Sequence, residues 1–451
     1  MKRFPISRKI SRFAKPFFEN GYSLYVVGGA VRDWAISRNV TDYDFATDAT
    51  PQQVMSLFSH VIPTGIDHGT VTVMFAGDSY EVTTFRIDDE YLDSRHPKNV
   101  SFIANIEEDL KRRDFTINAL AVDVSTNELL DLHEGIADLK KRIVRAIGDP
   151  EKRFTEDALR MLRAIRFSCS LEFTIEEKTK EAIKKLHPLL KHVSGERIHI
   201  ELFKILESRK PSIAFSLMHE TKILELLFPE ISMGENITQK GMHRYSVMEH
   251  GFYSCDAAPR NKPLVRLAAL LHDIGKSVVR KVDENGEVTF HRHEAESVKM
   301  AKDIMLRLKC SRQQMQKVLH LIEHHMFHYT SDWTDAAVRR FICKVSIDQI
   351  DDLFALRTAD QIGTDGMAKP ANLIEFSKRI QREIELKNVF TVKDLAVNGN
   401  DLAMAGIPKN KTMGLVLNEL LETVLNDPSM NTREHLLEIA LNFYNERIKL
   451  V

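Results

Sequence analysis

The sequence predicts an α+β protein, with a small mixed sheet near the N-terminus followed by an all-helical remainder. Three observations predict it. Runs with the period-two alternation of strands, such as Thr70 to Phe75 and Tyr80 to Phe85, all fall before residue 125. From Asp149 onward the apolar residues recur at helical spacing, and Gly and Pro are sparse, at 19 and 14 of 451 residues, as suits long helices.

The chain is too long for one ordinary core, so several domains are expected. Composition and pattern divide it into a sheet-containing head (1–148), a helical neck (149–236), a histidine-bearing helical region (237–370) and a helical tail (371–451). The formal net charge is −1. No global positive field is present to steer nucleic acid, so such a partner must be held by local basic patches. Cys169, Cys255, Cys310 and Cys343 are far apart and lack metal-site spacing, which predicts free buried thiols in a reducing compartment. The opening Met1-Lys2-Arg3-Phe4-Pro5 has no signal-type apolar core, and no later run approaches the length of a membrane span, so a cytoplasmic, non-membrane protein is expected.

Residues 7–20 predict an amphipathic helix packed beside a first strand, Leu24 to Val27. That strand runs into Gly28-Gly29, where the backbone can approach a ligand closely, and the following helix offers unpaired N–H groups to an anion, with phosphate the expected guest. Next comes Asp42-Tyr43-Asp44. Alternation along a strand puts Asp42 and Asp44 on one face, where two carboxylates can hold Mg²⁺. A glycine pair alone is usually a plain turn, and Asp-x-Asp alone is usually a solvated strand end. Together they describe phosphoryl chemistry: the glycine turn and Arg32 fix a triphosphate, and metal ions on Asp42 and Asp44 activate a hydroxyl and stabilise departing pyrophosphate.

Thr50-Pro51 opens another helix, Val61 begins a strand, and the two alternating runs are joined at Gly77-Asp78 as a hairpin. Glu81 on that hairpin is either a third carboxylate near the metals or an exposed strand glutamate. Residues 86–101 form a long polar insertion, either a surface loop or a lid. In Arg112-Arg113-Asp114-Phe115-Thr116-Ile117-Asn118-Ala119, the guanidinium forks of Arg112 and Arg113 suit bidentate contact with a triphosphate or a primer backbone.

Asp149-Pro150 predicts the start of one helix running to Phe167, with Leu159, Leu162 and Ile165 as its apolar stripe. Asp157, Arg160 and Arg163 follow at three-residue intervals. Salt bridges at that spacing stabilise by only about 0.2–0.5 kcal/mol each. The other reading is base recognition. A carboxylate acceptor beside guanidinium donors matches an edge with an amino group next to an unprotonated ring nitrogen, as in cytosine and adenine. Uracil and guanine present the reverse pattern and are refused, because their groups meet unpaired donors and acceptors. Farther on, Lys184, Lys185, Lys191, Arg197 and Lys204 either meet RNA or lie on solvated helix faces.

The glycine turn with Asp-x-Asp resembles the head of the DNA polymerase beta nucleotidyltransferase superfamily. The series Gly28-Gly29-Ala30-Val31-Arg32-Asp33, Asp42-Tyr43-Asp44, Arg112 to Ala119, and Glu156-Asp157-Ala158-Leu159-Arg160 with Arg163, Arg166 and Phe167 resembles the class II tRNA nucleotidyltransferases, the CCA-adding enzymes, over roughly the first half of the chain. The resemblance implies catalytic metals on Asp42 and Asp44, triphosphate binding by Gly29 and Arg32, and a protein template formed by Asp157 and Arg160. Arg163 and Arg166 would support the template or the triphosphate. Residues 86–101 resemble the family's flexible loop, which implies a full CCA-adding enzyme or one dedicated to the terminal A. Bacterial poly(A) polymerases share the head and neck motifs but usually carry basic extensions.

From about residue 240 histidines become frequent, and imidazole with carboxylate ligands suits a transition metal better than Mg²⁺. His272-Asp273 ends the apolar run Leu267 to Leu271 and is followed by Ile274-Gly275-Lys276, which resembles the HD phosphohydrolase superfamily. That resemblance implies a metal site of His250, His272, Asp273 and Asp360, with His293 and His325 as ligands to a second metal. The tail reads as helical, with a turn-linked helix pair around residues 397–408 that either grips the tRNA elbow or only packs. The expectation is therefore an enzyme that adds CMP and AMP from CTP and ATP to tRNA. Its rivals are a poly(A) polymerase and a metal-dependent phosphohydrolase whose N-terminal half only binds RNA.

Overall fold

The computed structural model describes the chain except at residues 1–2, 67–68, 89–99, 103–104, 239–243, 367–369, 387 and 449–451. The chain divides into two compact units, Met1–Ser232 with Arg307–Cys310, and Met233–Leu306 with Ser311–Val451. The first unit carries the predicted sheet. Its strands are β1 (Leu24–Val27), β2 (Asp44–Thr47), β3 (Val61–Gly65), β4 (Thr70–Phe75), β5 (Asp78–Thr84), β6 (Leu120–Asp123) and β7 (Leu129–Asp131), in the spatial order β3-β4-β5-β2-β1-β6-β7. β2 and β5 run parallel at the centre and the other pairs are antiparallel, so the sheet is mixed as expected.

One face of the sheet is sealed by the helix Arg8–Glu19, capped by Ser7, whose hydroxyl accepts from the Ile10 amide. Ile10, Phe13, Ala14 and Phe17 are buried at i, i+3, i+4 and i+7, the stripe of a core-facing helix. The Phe13 ring lies 5.0 Å from Phe45 and 4.7 Å from Tyr80. Truncating a buried phenylalanine of this kind costs about 3–5 kcal/mol. Because side chains alternate along a strand, this aromatic layer turns Asp44 and Glu81, the neighbours of Phe45 and Tyr80, to the opposite face.

Three local readings are corrected. β2 begins at Asp44 and leaves Asp42 on its approach, because β1 pairs as far as Val27 opposite Asp44 and the chain then turns away at Gly28, φ +66°. The hairpin turn is Ala76-Gly77, not Gly77-Asp78. Both residues have positive φ, +51° and +86°, as a two-residue loop between twisted strands requires, and Asp78 is already paired with Phe75. The single helix expected from Pro150 to Phe167 is two, Pro150–Glu156 and Leu159–Leu171. Asp157 is extended between them, and its carboxylate accepts from the Leu159 amide at 3.1 Å, the side-chain competition that makes aspartate a poor interior helix residue.

Of the polar insertion, residues 89–99 lie outside the described residues; its flanks Arg86–Asp88 and Val100–Phe102 pair as antiparallel strands. The described residues of the second unit are mainly helical, with one two-residue ladder and an isolated bridge between Thr238 and Ser246, and the helices Val247–Ala257, Pro263–Leu271, His293–Arg307, Arg312–His324 and Ile347–Asp365 carry the histidine motifs. The tail pair consists of Gly399–Met404 and Lys411–Asn426, packed around Val397, Leu402, Val416, Leu420 and Leu436. None of the four cysteines is in a disulfide; three are buried and Cys343 is half-buried. No described helix is long and apolar enough to cross a membrane.

Candidate active site

A cleft of about 450 Å³ in the first unit is lined by Gly28, Gly29, Arg32, Asp44, Arg112, Arg113, Asp157, Arg160, Arg163 and Arg166. Residues as far as 138 positions apart in sequence thus share one cavity. Three more line it that sequence reasoning quoted but gave no role: Asp114, Asn118 and Phe167. Gly28 is required by the geometry, since its φ is positive and a Cβ there would press on the Arg113 guanidinium at 3.2 Å.

Asp44 is the Cα partner of Glu81 in the parallel ladder, which brings the two carboxylates to one face. Burial, then the charges of Asp42 and Glu81, push the Asp44 carboxyl up to about 6, against the opposing pull of Arg113. A carboxyl whose proton affinity is raised by two neighbouring acids marks a site short of positive charge. The donors are all oxygen, which fits a hard divalent cation such as Mg²⁺. Glu81 is exposed, as one reading of it expects, and its Cα is paired with that of Asp44, as the other requires.

The arginines are fixed by acids the sequence reading did not single out. Arg112 and Arg113 both bind the buried Asp109, Nη2 donating at 2.6 and 3.2 Å. Burial alone would raise the Asp109 carboxyl, but the two guanidiniums hold it below its ordinary value. Arg32 donates to Asn118 Oδ1 at 2.9 Å and to Asp33. Asp114, buried, receives Nε and Nη2 of Arg163, both at 2.7 Å, and with Asn118 these bonds outweigh burial and keep its carboxyl low. Arg166 is paired with Glu201. The Phe167 ring lies against three of these cations, with guanidinium carbons at 3.9 Å (Arg166), 5.3 Å (Arg32) and 5.4 Å (Arg163). The spacing of Asp109 before Arg112 and Arg113 could have been read from sequence; Glu201, thirty-five residues from Arg166, could not.

Asp157 and Arg160 are each held independently. Arg160 donates to Glu156 at 2.8 Å and to the carbonyls of Arg153 and Arg112, whereas Asp157 receives Arg197 at 2.7 Å. No Asp157–Arg160 ion pair occurs among the described residues, so the helix-surface salt-bridge reading fails. Arg197, weighed as an RNA-facing cation, is instead the support of Asp157. Lys184 and Lys185 are paired with Glu181 and Glu151.

In the second unit, all six histidine and aspartate residues named from the sequence converge. His250 Nε2 lies 3.2 Å from His272 Nε2, 3.4 Å from Asp273 Oδ2 and 3.2 Å from Asp360 Oδ1. His293 Nε2 lies 3.1 Å, and His325 Nε2 3.7 Å, from the other oxygen, Asp273 Oδ1. The Nδ1 atoms of His272, His293 and His325 contact the carbonyls of Ala269, Phe290 and Ile322 at 2.7–3.0 Å, which fixes the tautomer that aims the Nε2 lone pair inward. Burial disfavours an imidazolium at His272, but Asp273 and Asp360 override it and drive its pKa up, while their own carboxyls fall well below the ordinary range. A buried cluster of nitrogens and carboxylate oxygens that must otherwise retain a proton fits a divalent transition metal.

Residues 24–145 match the family model described as poly A polymerase head domain, residues 172–233 that of a "probable RNA and SrmB- binding site of polymerase A", and residues 241–361 the HD domain. The chain is 34% identical to the CCA-adding enzyme of Anoxybacillus flavithermus over 430 residues, 94% of each chain. It is 52% identical over 205 residues to the CCA-adding enzyme of Lactobacillus helveticus and 47% over 244 to that of Oceanobacillus iheyensis; these matches take in 46% and 54% of this chain and only 51% and 60% of those relatives' own length. Among solved structures it is similar to the Bacillus stearothermophilus CCA-adding enzyme in complex with CTP, with a TM-score of 0.74 at 27% identity and full coverage of both chains. It shares its fold, at a TM-score of 0.57 and 21% identity, with the Thermotoga maritima CCA-adding enzyme complexed with tRNA, covering 98% of this chain and 100% of that one.

Proposed function

We propose, for a chain that belongs to the CCA-adding enzyme family, that it transfers CMP and AMP from CTP and ATP to the 3′-hydroxyl of tRNA and releases pyrophosphate. The observation that supports this reading is the cleft where Gly28-Gly29, Asp44, the Asp157 and Arg160 side chains and five further arginines meet. In the reaction the 3′-oxygen bonds to the α-phosphorus as the bond to the β-phosphate breaks, and Arg32, Arg112 and Arg113 take the charge of the departing pyrophosphate. Asp42, Asp44 and Glu81, an all-oxygen set that favours Mg²⁺, would hold divalent cations, and these when bound would supply acidification of the hydroxyl and charge neutralisation for the leaving group. Asp157 accepts from the amino group of cytosine or adenine while Arg160 donates to the ring nitrogen. Their separate anchors, Arg197 and Glu156, hold both rigid as the base changes.

The test is incorporation by the full chain, given tRNA lacking its 3′ terminus, Mg²⁺ and each nucleotide in turn, with products sized to one residue. Sequential addition of C, C and A is expected, and Asp44→Ala should abolish it in a protein that still folds. Addition of A alone identifies the specialised form and long adenine tracts a poly(A) polymerase; incorporation by the Asp44→Ala protein removes the assignment of the site.

A second centre is favoured by one observation in the Met233 unit: Asp273 offers one oxygen to His250 and His272 and the other to His293 and His325. This bridging disposition supports one or two divalent transition-metal ions and hydrolysis of phosphate esters there.

A further inference from the structure

Beside the histidine cluster lies a cavity of about 480 Å³ to which the reaction above assigns nothing. Four basic side chains line it, Arg280, Lys281, His291 and Arg292, and none of them has an ion-pair partner among the described residues. Its one acidic lining residue, Glu296, is already neutralised by Lys299 at 2.7 Å. Unpaired cations converging on a concave surface repel one another, and an anion is the species that relieves this.

The walls of this cavity are continuous with the metal ligands. Arg280 and Lys281 follow the short helix Lys276–Val279, which Ile274-Gly275 joins to His272-Asp273; His291 and Arg292 directly precede His293. The two stretches are pinned together at Gly275, where a Cβ would stand 2.4 Å from the His293 carbonyl and 2.5 Å from the Ser297 amide. Arg292 is in the left-handed region, φ +60°, where the chain reverses to bring His293 into the cluster. Lys276 stands between the two features, with Nζ 2.6 Å from Asp273 Oδ2 and 5.6 Å from the Phe290 ring centroid.

We propose that this cavity is an anion subsite of the histidine-aspartate centre, selecting phosphate esters that carry a second phosphate beyond the scissile one, as on an oligonucleotide end or a nucleoside polyphosphate. The inference rests on reading that centre as a phosphate-ester hydrolase. Hydrolysis there joins water's oxygen to phosphorus and sends a proton to the departing alcohol, and the subsite holds the remaining phosphates on Arg280, Lys281 and Arg292. Guanidinium groups supply the paired donors and His291 adds an imidazole donor.

The cavity carries its own reporters in the methyl groups of Val278 and Val279. The test is methyl NMR of the full chain, metal-free, titrated separately with inorganic tripolyphosphate, ATP, a 3′-phosphorylated dinucleotide and inorganic phosphate. Local readout separates this site from nucleotide bound in the first unit. Saturable shifts at both valines are expected with the polyanions, weakened by salt, and about tenfold weaker on Lys281→Glu or Arg292→Glu. The relative affinity of the dinucleotide and ATP names the source. Valine shifts that are absent, or unchanged in both variants, overturn the subsite. If the shifts occur but the metal-loaded chain hydrolyses no phosphate ester, the subsite stands and the hydrolase reading falls. If hydrolysis occurs without the shifts, the reverse holds.

Discussion

Asp114 and Arg163 offer the sharpest test of how the cleft is built, because a buried carboxylate there depends on one guanidinium. Asp114 Oδ2 receives Nε and Nη2 of Arg163 at 2.7 Å each, while its Oδ1 receives the Phe115 amide at 2.8 Å and Asn118 Nδ2 at 3.1 Å. Arg163→Met keeps the bulk of the side chain and strips Oδ2 of both charge-assisted bonds. Removing one partner of a buried pair costs about 3–5 kcal/mol, since the remaining charge is stranded. For a unit of this size, that is a fall in Tm of roughly 6–20 °C. Adding Asp114→Asn removes the stranded charge, so the double variant should recover most of the loss in calorimetry. The pH dependence has a definite sign. In the native chain Asp114 lies below its ordinary value, so the pair's contribution is present above the unfolded pKa and is lost only as pH falls through the lower folded value. In Arg163→Met the stranded carboxyl prefers its proton, so the gap between variant and native stability should narrow on acidification. A single-variant loss below about 1 kcal/mol, or a double variant no better than the sum of its parts, would refute this account of the pair.

Three other predictions follow from the same cleft. Arg197→Ala frees Asp157 without touching the phosphate ligands, so discrimination of CTP against UTP should fall by about tenfold to a hundredfold in incorporation assays, with less effect on kcat for CTP. Phe167→Leu removes the ring against which three guanidiniums lie, and at about 0.5–1 kcal/mol per contact the KM for nucleotide should rise severalfold, with Phe167→Tyr restoring it. In metal-free protein Asp44 holds its proton up to about pH 6, so divalent-ion affinity by calorimetric titration should be level above that pH. Below it, affinity should drop by about tenfold per unit, because cation and proton compete for one carboxylate.

Much of the site was legible in the chain because its chemistry is local. Gly28-Gly29 before a helix, an acid two residues from another, and a pair of arginines before an aspartate each carry their meaning in a few positions, and all of the residues named for nucleotide contact line one cavity. Likewise His272-Asp273 after an apolar run announced its cluster, although only the fold brings His250, His293, His325 and Asp360 to it.

What the sequence by itself determined was the class of fold and the acidic, basic and histidine side chains that gather in the cleft and the cluster, since these follow from periodicity and side-chain type. What only the tertiary structure decided was which groups hold others in place. Asp157 leaves the helix to be steadied by Arg197 forty residues on, Glu81 becomes the neighbour of Asp44 through strand pairing, and Glu201 anchors Arg166 from another helix. A charge in a water-poor interior must find its counter-charge wherever the packed chain brings one, and that choice is made in space, at separations no sequence spacing encodes.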